Sequence, residues 1–197
     1  MRTSLVSFLY LLLTIVMPAD GMAQNYDKLF DDILGKQLLG ESPGGTALVA
    51  KKGKVIYKKA FGTADLELEV MMKPDYVFRI GSITKQFTAS AILKLAEEGK
   101  LSLSDTITKF IKDYPMHGFA ITVEHLLTHT SGVKDYTVLS QFNAEMKKKD
   151  LTPRELVTFF KNEPMDFPPG TSYRYSNSGY ILLGYIIELV SGKPYAE

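Results

Sequence analysis

The fold of this chain is decided by the stretch Tyr76-Val-Phe-Arg-Ile-Gly-Ser-Ile-Thr-Lys85. Its first five residues are largely apolar and favour extended structure, and the glycine that follows permits a tight turn. Apolar residues then recur largely at helical spacing up to Glu97-Glu-Gly99, where the pattern stops. The sequence therefore predicts a helix with Ser82 at or near its first turn.

Ser82 and Lys85 are a candidate nucleophile and a group that assists its deprotonation. A serine hydroxyl attacks poorly until a neighbouring base takes its proton, and a lysine at i+3 lies on the same helix face. The positive end of the helix also favours negative charge that develops near Ser82. Alternatively, Ser82 only caps the helix. A second match to the pattern, Ser131-Gly-Val-Lys134, follows a helix and lacks the helix-start geometry.

A second polar cluster, Tyr175-Ser-Asn177, provides a phenol and an amide that could complete the same site. A free lysine, with a pKa of about 10.4, is charged at pH 7 and cannot accept a proton. Burial or a cationic neighbour would neutralise Lys85; alternatively, it stays charged and lowers the pKa of a nearby phenol. Tyr175 is the candidate phenol. Core packing is its alternative role, because several tyrosines crowd this part of the chain.

The composition is that of an ordinary globular protein with a single domain. The 197 residues are 45% hydrophobic and 23% charged, and the net charge is +1. A charge so close to zero gives no indication of a nucleic-acid partner. Because the chain has no cysteine, it has no disulfide framework, no thiol nucleophile and no lipid anchor on cysteine.

The first 23 residues are typical of a bacterial export signal. Arg2 is followed by an apolar segment, Leu5 to Met17, that is too short to span a bilayer. Gly21-Met-Ala23 fits a cleavage site before Gln24, and an uncleaved membrane anchor is the alternative. We expect a mature domain over residues 24–197 that is periplasmic or secreted and has no stable membrane span.

The mature chain is predicted to form one hairpin followed by a run of helices. The hairpin strands are 46–50 and 55–57, and 63–75 is expected to be loop with one short strand. Thr152-Pro-Arg-Glu155 is a capping box that begins a helix. The helices are expected at 26–39, 82–98, 106–112, 122–127, 152–161 and 179–190, with 138–149 helical but ambiguous. This order predicts an α/β (α+β) fold with a helical lobe and a ligand cleft between the lobes.

Three motifs together resemble the serine β-lactamase-related hydrolases, in the order and approximate spacing of that family. The motifs are Phe78-Arg-Ile-Gly-Ser-Ile-Thr-Lys85, His125-Leu-Leu-Thr-His-Thr-Ser-Gly132, and Phe167-Pro-Pro-Gly170 leading to Tyr175-Ser-Asn177. The class C type, which includes class C β-lactamases, DD-peptidases, D-aminopeptidases and esterases, is the most similar subgroup, since it has Tyr-x-Asn where class A enzymes have Ser-Asp-Asn. The resemblance covers roughly residues 26–197 and implies an antiparallel sheet flanked by helices, with an all-helical lobe.

The resemblance also implies a role for each residue of the candidate site. Ser82 would accept the acyl group, and its backbone N–H would be half of an oxyanion hole. Lys85 would assist deprotonation, Tyr175 would act as general base, and Asn177 would bind Lys85 and the substrate amide. The substrate would be a small molecule or a peptide, namely a β-lactam, a peptidoglycan-like peptide or an ester. No cofactor and no metal are implied.

His125 and His129 are four residues apart, a spacing that can bind zinc. The glutamate precedes His125 instead of following it, and no third ligand is evident in the sequence. The family resemblance makes both histidines packing and capping groups, which is the interpretation we adopt.

The family's third motif, Lys-Thr-Gly or a variant, occurs nowhere in this sequence. We therefore expect a C-terminally truncated member of the family that lacks the later strands, the final helix and the second oxyanion donor. An exported serine hydrolase is the first hypothesis. The alternatives are a non-catalytic penicillin-binding-like module that binds peptides, and an inactive fragment.

Overall fold

A computed structural model describes residues 26–38 and 43–197, so the predicted export signal and its cleavage site lie outside the described residues. The chain divides into two units, of which the first ends at Phe78 and the second begins at Arg79. The first unit contains helix α1 (Tyr26–Leu38) and four strands, which are β1 (Gly45–Lys51), β2 (Lys54–Phe61), β3 (Thr63–Asp65) and β4 (Val70–Met71).

Strands β1 and β2 form the antiparallel hairpin that the sequence predicts. Gly45 pairs with Phe61 at its open end, and the connection is Lys52-Gly53. Both connecting residues have positive φ angles, 50° and 75°, as a two-residue type I′ turn requires. The predicted hairpin is therefore confirmed.

Residues 63–75 contain two short strands, although only one was expected. The Asp65 carboxylate accepts a hydrogen bond of 2.8 Å from the backbone N–H of Leu68. Such a local bond reverses the chain, so that β4 returns antiparallel to β3. The expectation was incomplete because a two-residue strand is too short to show periodicity.

Helix α1 packs against the hairpin through Phe30, whose ring centroid is 5.0 Å from that of Tyr57. Asp31 accepts hydrogen bonds from the Tyr57 hydroxyl at 2.8 Å and from the Lys59 ammonium at 2.6 Å. These two donors, Lys59 first, hold the pKa of Asp31 below its ordinary value. The first unit thus carries its own small contact surface between helix and hairpin.

The second unit begins with a 3₁₀ turn at Gly81–Ile83, and its longer regular elements are all α-helices. Its α-helices are α2 (Thr84–Glu97), α3 (Ile107–Phe110), α4 (Val123–Leu127), α5 (Pro153–Phe160) and α6 (Asn177–Ser191). Two further 3₁₀ turns lie at Tyr136–Val138 and Met146–Lys148.

Helix α6 is the centre of the core in the second unit. Its residues Leu182, Leu183 and Ile186 are completely buried against α2, α4 and α5. Ser176 caps its start by accepting from the Gly179 N–H, and Gly192, with φ of 73°, ends it in the left-handed conformation. Helix α6 has 15 residues, and no helix within residues 26–38 and 43–197 is long and apolar enough to cross a membrane.

Two helix starts in the second unit are capping boxes. Thr152 and Glu155 form a capping box at the start of α5, so the predicted capping box is confirmed. Thr122 and His125 form another at the start of α4, where the His125 ring takes the place usually filled by glutamate or glutamine.

Residues 138–149 form 3₁₀ turns and bends instead of the helix that their pattern suggested. The Asn143 side chain accepts hydrogen bonds from the backbone N–H groups of Glu145 and Met146, both at 3.1 Å. Bonds of this kind cap the start of a new short turn, so they interrupt any helix that would run through Asn143. The helical interpretation of this segment was wrong for that reason.

Candidate active site

Four side chains from two helix starts meet in the second unit. Ser82 lies in the 3₁₀ turn that leads into α2, and Lys85 lies in the first turn of α2. Tyr175 and Asn177 lie on either side of the residue that caps α6. The two pairs are therefore held by the ends of the two longest helices of the core.

These side chains form a continuous hydrogen-bonded chain. The Ser82 Oγ and the Tyr175 hydroxyl are 2.7 Å apart. The Lys85 ammonium donates to Ser82 Oγ at 3.3 Å and to Asn177 Oδ1 at 2.9 Å. The hydroxyl of Ser82 thus has two candidate proton acceptors within reach, and the phenol is the nearer.

Ser82 does not act as a helix cap. The residue that caps α2 is Ile83, which makes no side-chain capping bond, and the Ser82 hydroxyl bonds to Tyr175 and Lys85 instead. Ser82 is also exposed, so that a substrate can approach it. The capping alternative is therefore wrong.

The competing pair, Ser131 and Lys134, lacks the geometry of a nucleophile with its base. Ser131 is 2% exposed, and its Oγ accepts from the backbone N–H of Val133 at 3.3 Å. The Lys134 ammonium forms an ion pair of 2.6 Å with Asp166. The local helix start, and not the Ser-x-x-Lys pattern, distinguishes the two sites.

Lys85 controls the electrostatics at Tyr175. Partial burial acts to raise the pKa of Tyr175, but interactions with Lys85 and Ser82 and the positive charge of Lys85 outweigh it, so that this pKa lies below its ordinary value of 10.0. The ammonium is also 4.7 Å from the centroid of the Tyr175 ring. A lowered pKa makes a phenolate easier to form near neutral pH, as a general base requires.

His129 packs against the rings of Tyr175 and Tyr180. Its ring centroid is 4.6 Å from that of Tyr175 and 5.1 Å from that of Tyr180. Its Nδ1 accepts a hydrogen bond of 3.2 Å from the Ser176 N–H, which requires a ring nitrogen without a proton. Burial, together with the charge of Lys85, lowers the pKa of His129 and so favours this neutral form.

His125 and His129, the two histidines four residues apart, therefore both make structural contacts. His125 is part of a capping box, and His129 lies beside Tyr175. In the part of the chain that the structure describes, no group of three or more histidine and acidic side chains could hold a metal ion.

Asp135 belongs to the same site, although no motif in the sequence indicates this. It is 8% exposed, and its Oδ2 accepts from the backbone N–H of Asn177 at 2.6 Å and from Asn177 Nδ2 at 3.0 Å. Its Oδ1 accepts from the N–H and the hydroxyl of Thr137, at 2.8 and 2.6 Å. The pattern Asp135-x-Thr137 is a local signal for a turn, but it does not indicate a partner 42 residues away.

Residues 129–137, here called the support segment, lie alongside residues 166–174. Three backbone hydrogen bonds of 2.8 to 3.0 Å join the two stretches. Gly132 is at the closest approach, because a Cβ atom there would be 2.0 Å from the carbonyl oxygen of Phe167. Its φ of 72° also favours glycine. The support segment thereby fixes His129 at one end and Asp135 at the other.

A cavity of about 370 Å³ opens beside Ser82 and Lys85. Its other walls are mainly apolar and aromatic and come from the start of α5 and from α6 and its C-terminal extension. They include Leu151, Pro153, Leu156, Ile181, Tyr185 and Tyr195. The volume is in the lower part of the range for small-molecule sites.

Comparison with protein families gives a match over almost the whole described chain. The family model described as Beta-lactamase matches residues 27–197. Among curated proteins, penicillin-binding protein 4* of Bacillus subtilis (strain 168) is 34% identical over 180 residues, which are 89% of this chain and 39% of that protein. Protein flp of Staphylococcus aureus (strain N315) is 34% identical over 178 residues, 88% of this chain and 34% of that protein.

Solved structures give a consistent result. The octameric penicillin-binding protein homologue from Pyrococcus abyssi superimposes with a TM-score of 0.70 at 37% identity, over 85% of this chain and 39% of that one. The D-amino acid amidase of Ochrobactrum anthropi, in complex with L-phenylalanine, has a TM-score of 0.68 at 30% identity, over 86% and 45%. The fold is therefore β-lactamase/transpeptidase-like, and the chain spans between about a third and just under half of the length of these relatives.

Proposed function

Because this chain belongs to the beta-lactamase family, we propose that it contributes the nucleophilic centre of a serine hydrolase that forms an acyl-enzyme at Ser82. The observation that carries the proposal is the hydrogen-bonded chain from Asn177 through Lys85 and Ser82 to Tyr175. A nucleophile, a base and a group that orients the base are the three parts such chemistry needs.

In the proposed reaction, Tyr175 takes the proton of Ser82 while the Ser82 Oγ forms a bond to the substrate carbonyl carbon. The 2.7 Å contact and the lowered pKa of Tyr175 support the phenol as the base, in preference to Lys85. The leaving amine or alcohol receives that proton as its bond to the carbonyl breaks. Water then releases the acid and regenerates Ser82.

Lys85 and Asn177 have supporting roles in this proposal. The ammonium of Lys85 stabilises the phenolate of Tyr175 by its charge. Asn177 holds that ammonium through Oδ1 and borders the cavity, where it can contact the substrate amide. The backbone N–H of Ser82 lies at the start of α2, where the helix dipole favours the developing oxyanion.

We propose an amide or ester substrate that carries an apolar group: a β-lactam, a D-amino-acid peptide or an ester. The apolar cavity beside Ser82 has room for a side chain of aromatic size. Two similar structures are described as a D-stereospecific amidohydrolase from Streptomyces and a D-amino acid amidase in complex with D-phenylalanine. Those names support a class of substrates that combines an amide with an apolar side chain.

Covalent labelling followed by peptide mapping tests the proposal. After reaction with a fluorophosphonate or a fluorescent penicillin, tryptic cleavage at Arg79 and Lys85 releases peptide 80–85, whose only serine is Ser82. The competing Ser131 is the only serine of tryptic peptide 113–134. We expect the adduct on the first peptide, and an adduct on the second, or none at all, contradicts the proposal.

A non-catalytic peptide-binding module is the second candidate, favoured by the mainly apolar cavity beside Ser82, which can hold a peptide side chain without any reaction at Ser82. It differs from the first candidate in one measurable respect. Saturable binding of a D-amino-acid dipeptide that survives Ser82→Ala, without any adduct on peptide 80–85, would support it.

We also propose that the protein works outside the cytoplasm, since Leu5 to Met17 and Gly21-Met-Ala23 form the pattern of a cleaved signal. The expected result is an exported protein whose N-terminus lies near Gln24. Intact-mass measurement of protein from the periplasm or medium checks this, and a mass that includes residues 1–23 contradicts it.

A further inference from the structure

The Asn177 side chain lies between two groups of opposite hydrogen-bonding character. On one side, Asp135 Oδ2 accepts from Asn177 Nδ2 at 3.0 Å. On the other side, the Lys85 ammonium donates to Asn177 Oδ1 at 2.9 Å. A carboxylate only accepts and an ammonium only donates, so the two ends of the amide cannot exchange places without losing both bonds. The amide orientation is therefore fixed by these partners.

Asp135 is well placed to fix its neighbour because it is itself immobilised. It is 8% exposed, and four hydrogen bonds of 2.6 to 3.0 Å hold its two oxygens, one pair from Thr137 and one from Asn177. One of these bonds comes from the backbone N–H of Asn177, the first residue of α6. Bonds to a charged acceptor are stronger than bonds between neutral groups.

We propose that Asp135 is a positioning residue that acts through the Asn177 amide to hold the Lys85 ammonium against Ser82 and Tyr175. The inference rests on the proposed function, because only a catalytic Ser82 and Tyr175 would need the ammonium in one place. The same contacts also define an effect on Tyr175 that can be measured without any turnover.

Asp135 affects Tyr175 in two opposite ways. Its negative charge acts directly to raise the pKa of Tyr175, so loss of that charge alone would lower this pKa. Through Asn177 it keeps Lys85 close, and Lys85 lowers the pKa of Tyr175. The groups that face Tyr175 from the packed elements are Ser82 of the 3₁₀ turn, Lys85 of α2, His129 and Asp135 of the support segment, and Tyr180 of α6.

The direction in which the titration midpoint of Tyr175 moves therefore distinguishes a positioning role of Asp135 from an effect of its charge alone. In Asp135→Ala, the positioning role predicts that the titration midpoint of Tyr175 rises, because the released Asn177 no longer anchors Lys85. In the Asn177→Ala background the amide is gone, so the same substitution removes only the charge and the bond from the backbone N–H of residue 177, and the midpoint is expected to fall. Such a reversal between two backgrounds is the mark of a residue that acts through another.

The measurement is an NMR titration of the full chain labelled with ¹³Cζ-tyrosine, with the resonance assigned by Tyr175→Phe. Four proteins complete the cycle: the native chain, Asp135→Ala, Asn177→Ala and the double variant. A midpoint that is unchanged or lowered by Asp135→Ala in the native background overturns the proposal. Where Asp135→Ala fails to fold, Asp135→Leu fills the space, removes both the charge and the hydrogen-bond acceptors, and gives the same sign test.

Asp166→Ala is the matched control for the loss of a buried carboxylate. The Asp166 side chain is largely buried, but its oxygens pair with Lys134 at 2.6 Å and Arg174 at 2.9 Å instead of Asn177. Asp166→Ala is expected to lower the free energy of unfolding without raising the titration midpoint of Tyr175.

If Ser82 is acylated, Asp135→Ala should also slow acylation by about 10²-fold, the size of effect that a 1 Å displacement can have. Absence of acylation in every variant would contradict the proposed function alone, since the titration is read independently.

Discussion

Tyr175→Phe is expected to slow the acylation of Ser82 by roughly 10³-fold, because general base catalysis by a positioned side chain contributes about 10² to 10⁴. The substitution removes the oxygen that lies 2.7 Å from Ser82 Oγ but keeps the ring that packs on His129. The measurement is the rate constant for fluorophosphonate labelling at fixed pH, compared with the native chain.

The pH dependence of the labelling rate shows whether Tyr175 acts as the base. A base works when it is deprotonated, so the native rate should rise with pH through the pKa of Tyr175. Because Lys85 and Ser82 outweigh burial and hold this pKa below 10.0, the rise should be centred below that value. The Phe variant should lack this rise.

Tyr173→Phe is the matched control, since it removes a phenol two residues away whose side chain is 67% exposed. It should label at the native rate. If Tyr175→Phe labels within threefold of the native rate, the phenol is not the base, and Lys85 is left as the acceptor.

Phe160→Ala is expected to lower the free energy of unfolding by about 3–5 kcal/mol, the usual cost of deleting a buried aromatic ring. Phe160 is the last residue of α5, is 1% exposed and packs in the core with α6. Since domains are commonly stable by about 5–15 kcal/mol, this loss is a large part of the total. Urea denaturation followed by circular dichroism measures it.

Phe87→Ala provides the comparison on the surface, because Phe87 of α2 is 60% exposed. Its substitution should change the unfolding free energy by no more than about 0.5–1 kcal/mol. Equal losses for the two variants would mean that the core is not where the structure places it. Phe160 also stacks on Tyr136, at 6.2 Å between centroids, so its removal should loosen the support segment beside Asp135.

The meeting of Ser82, Lys85, Tyr175 and Asn177 could be anticipated from the sequence because each depends on local structure. A strand-like run, a glycine and a helical pattern place Ser82 at a helix start, and i+3 spacing places Lys85 beside it. The apolar run after Asn177 predicts α6, whose first turn carries that residue. Their assembly also follows from the resemblance, while their catalytic roles stay predictions.

Asp135 and the contact of His129 with Tyr175 could not be anticipated, because both depend on pairing between distant segments. An aspartate followed by threonine two residues later is an ordinary turn signal. Only the hydrogen bonds to Asn177 give it a place in the site. The same is true of 138–149, where the Asn143 side chain outweighs a weak helical pattern.

Gly132 shows how a residue outside the hydrogen-bonded chain from Asn177 to Tyr175 can restrict the evolution of the whole centre. The backbone of Phe167 fills the space that its side chain would need, and a left-handed φ adds a second penalty for every other amino acid. A side chain at position 132 would push residues 129–137 and 166–174 apart. Both the phenol of Tyr175 and the amide of Asn177 would then be displaced. Compensation would then require simultaneous changes on both stretches, so we expect this position to diverge more slowly than the residues that line the cavity.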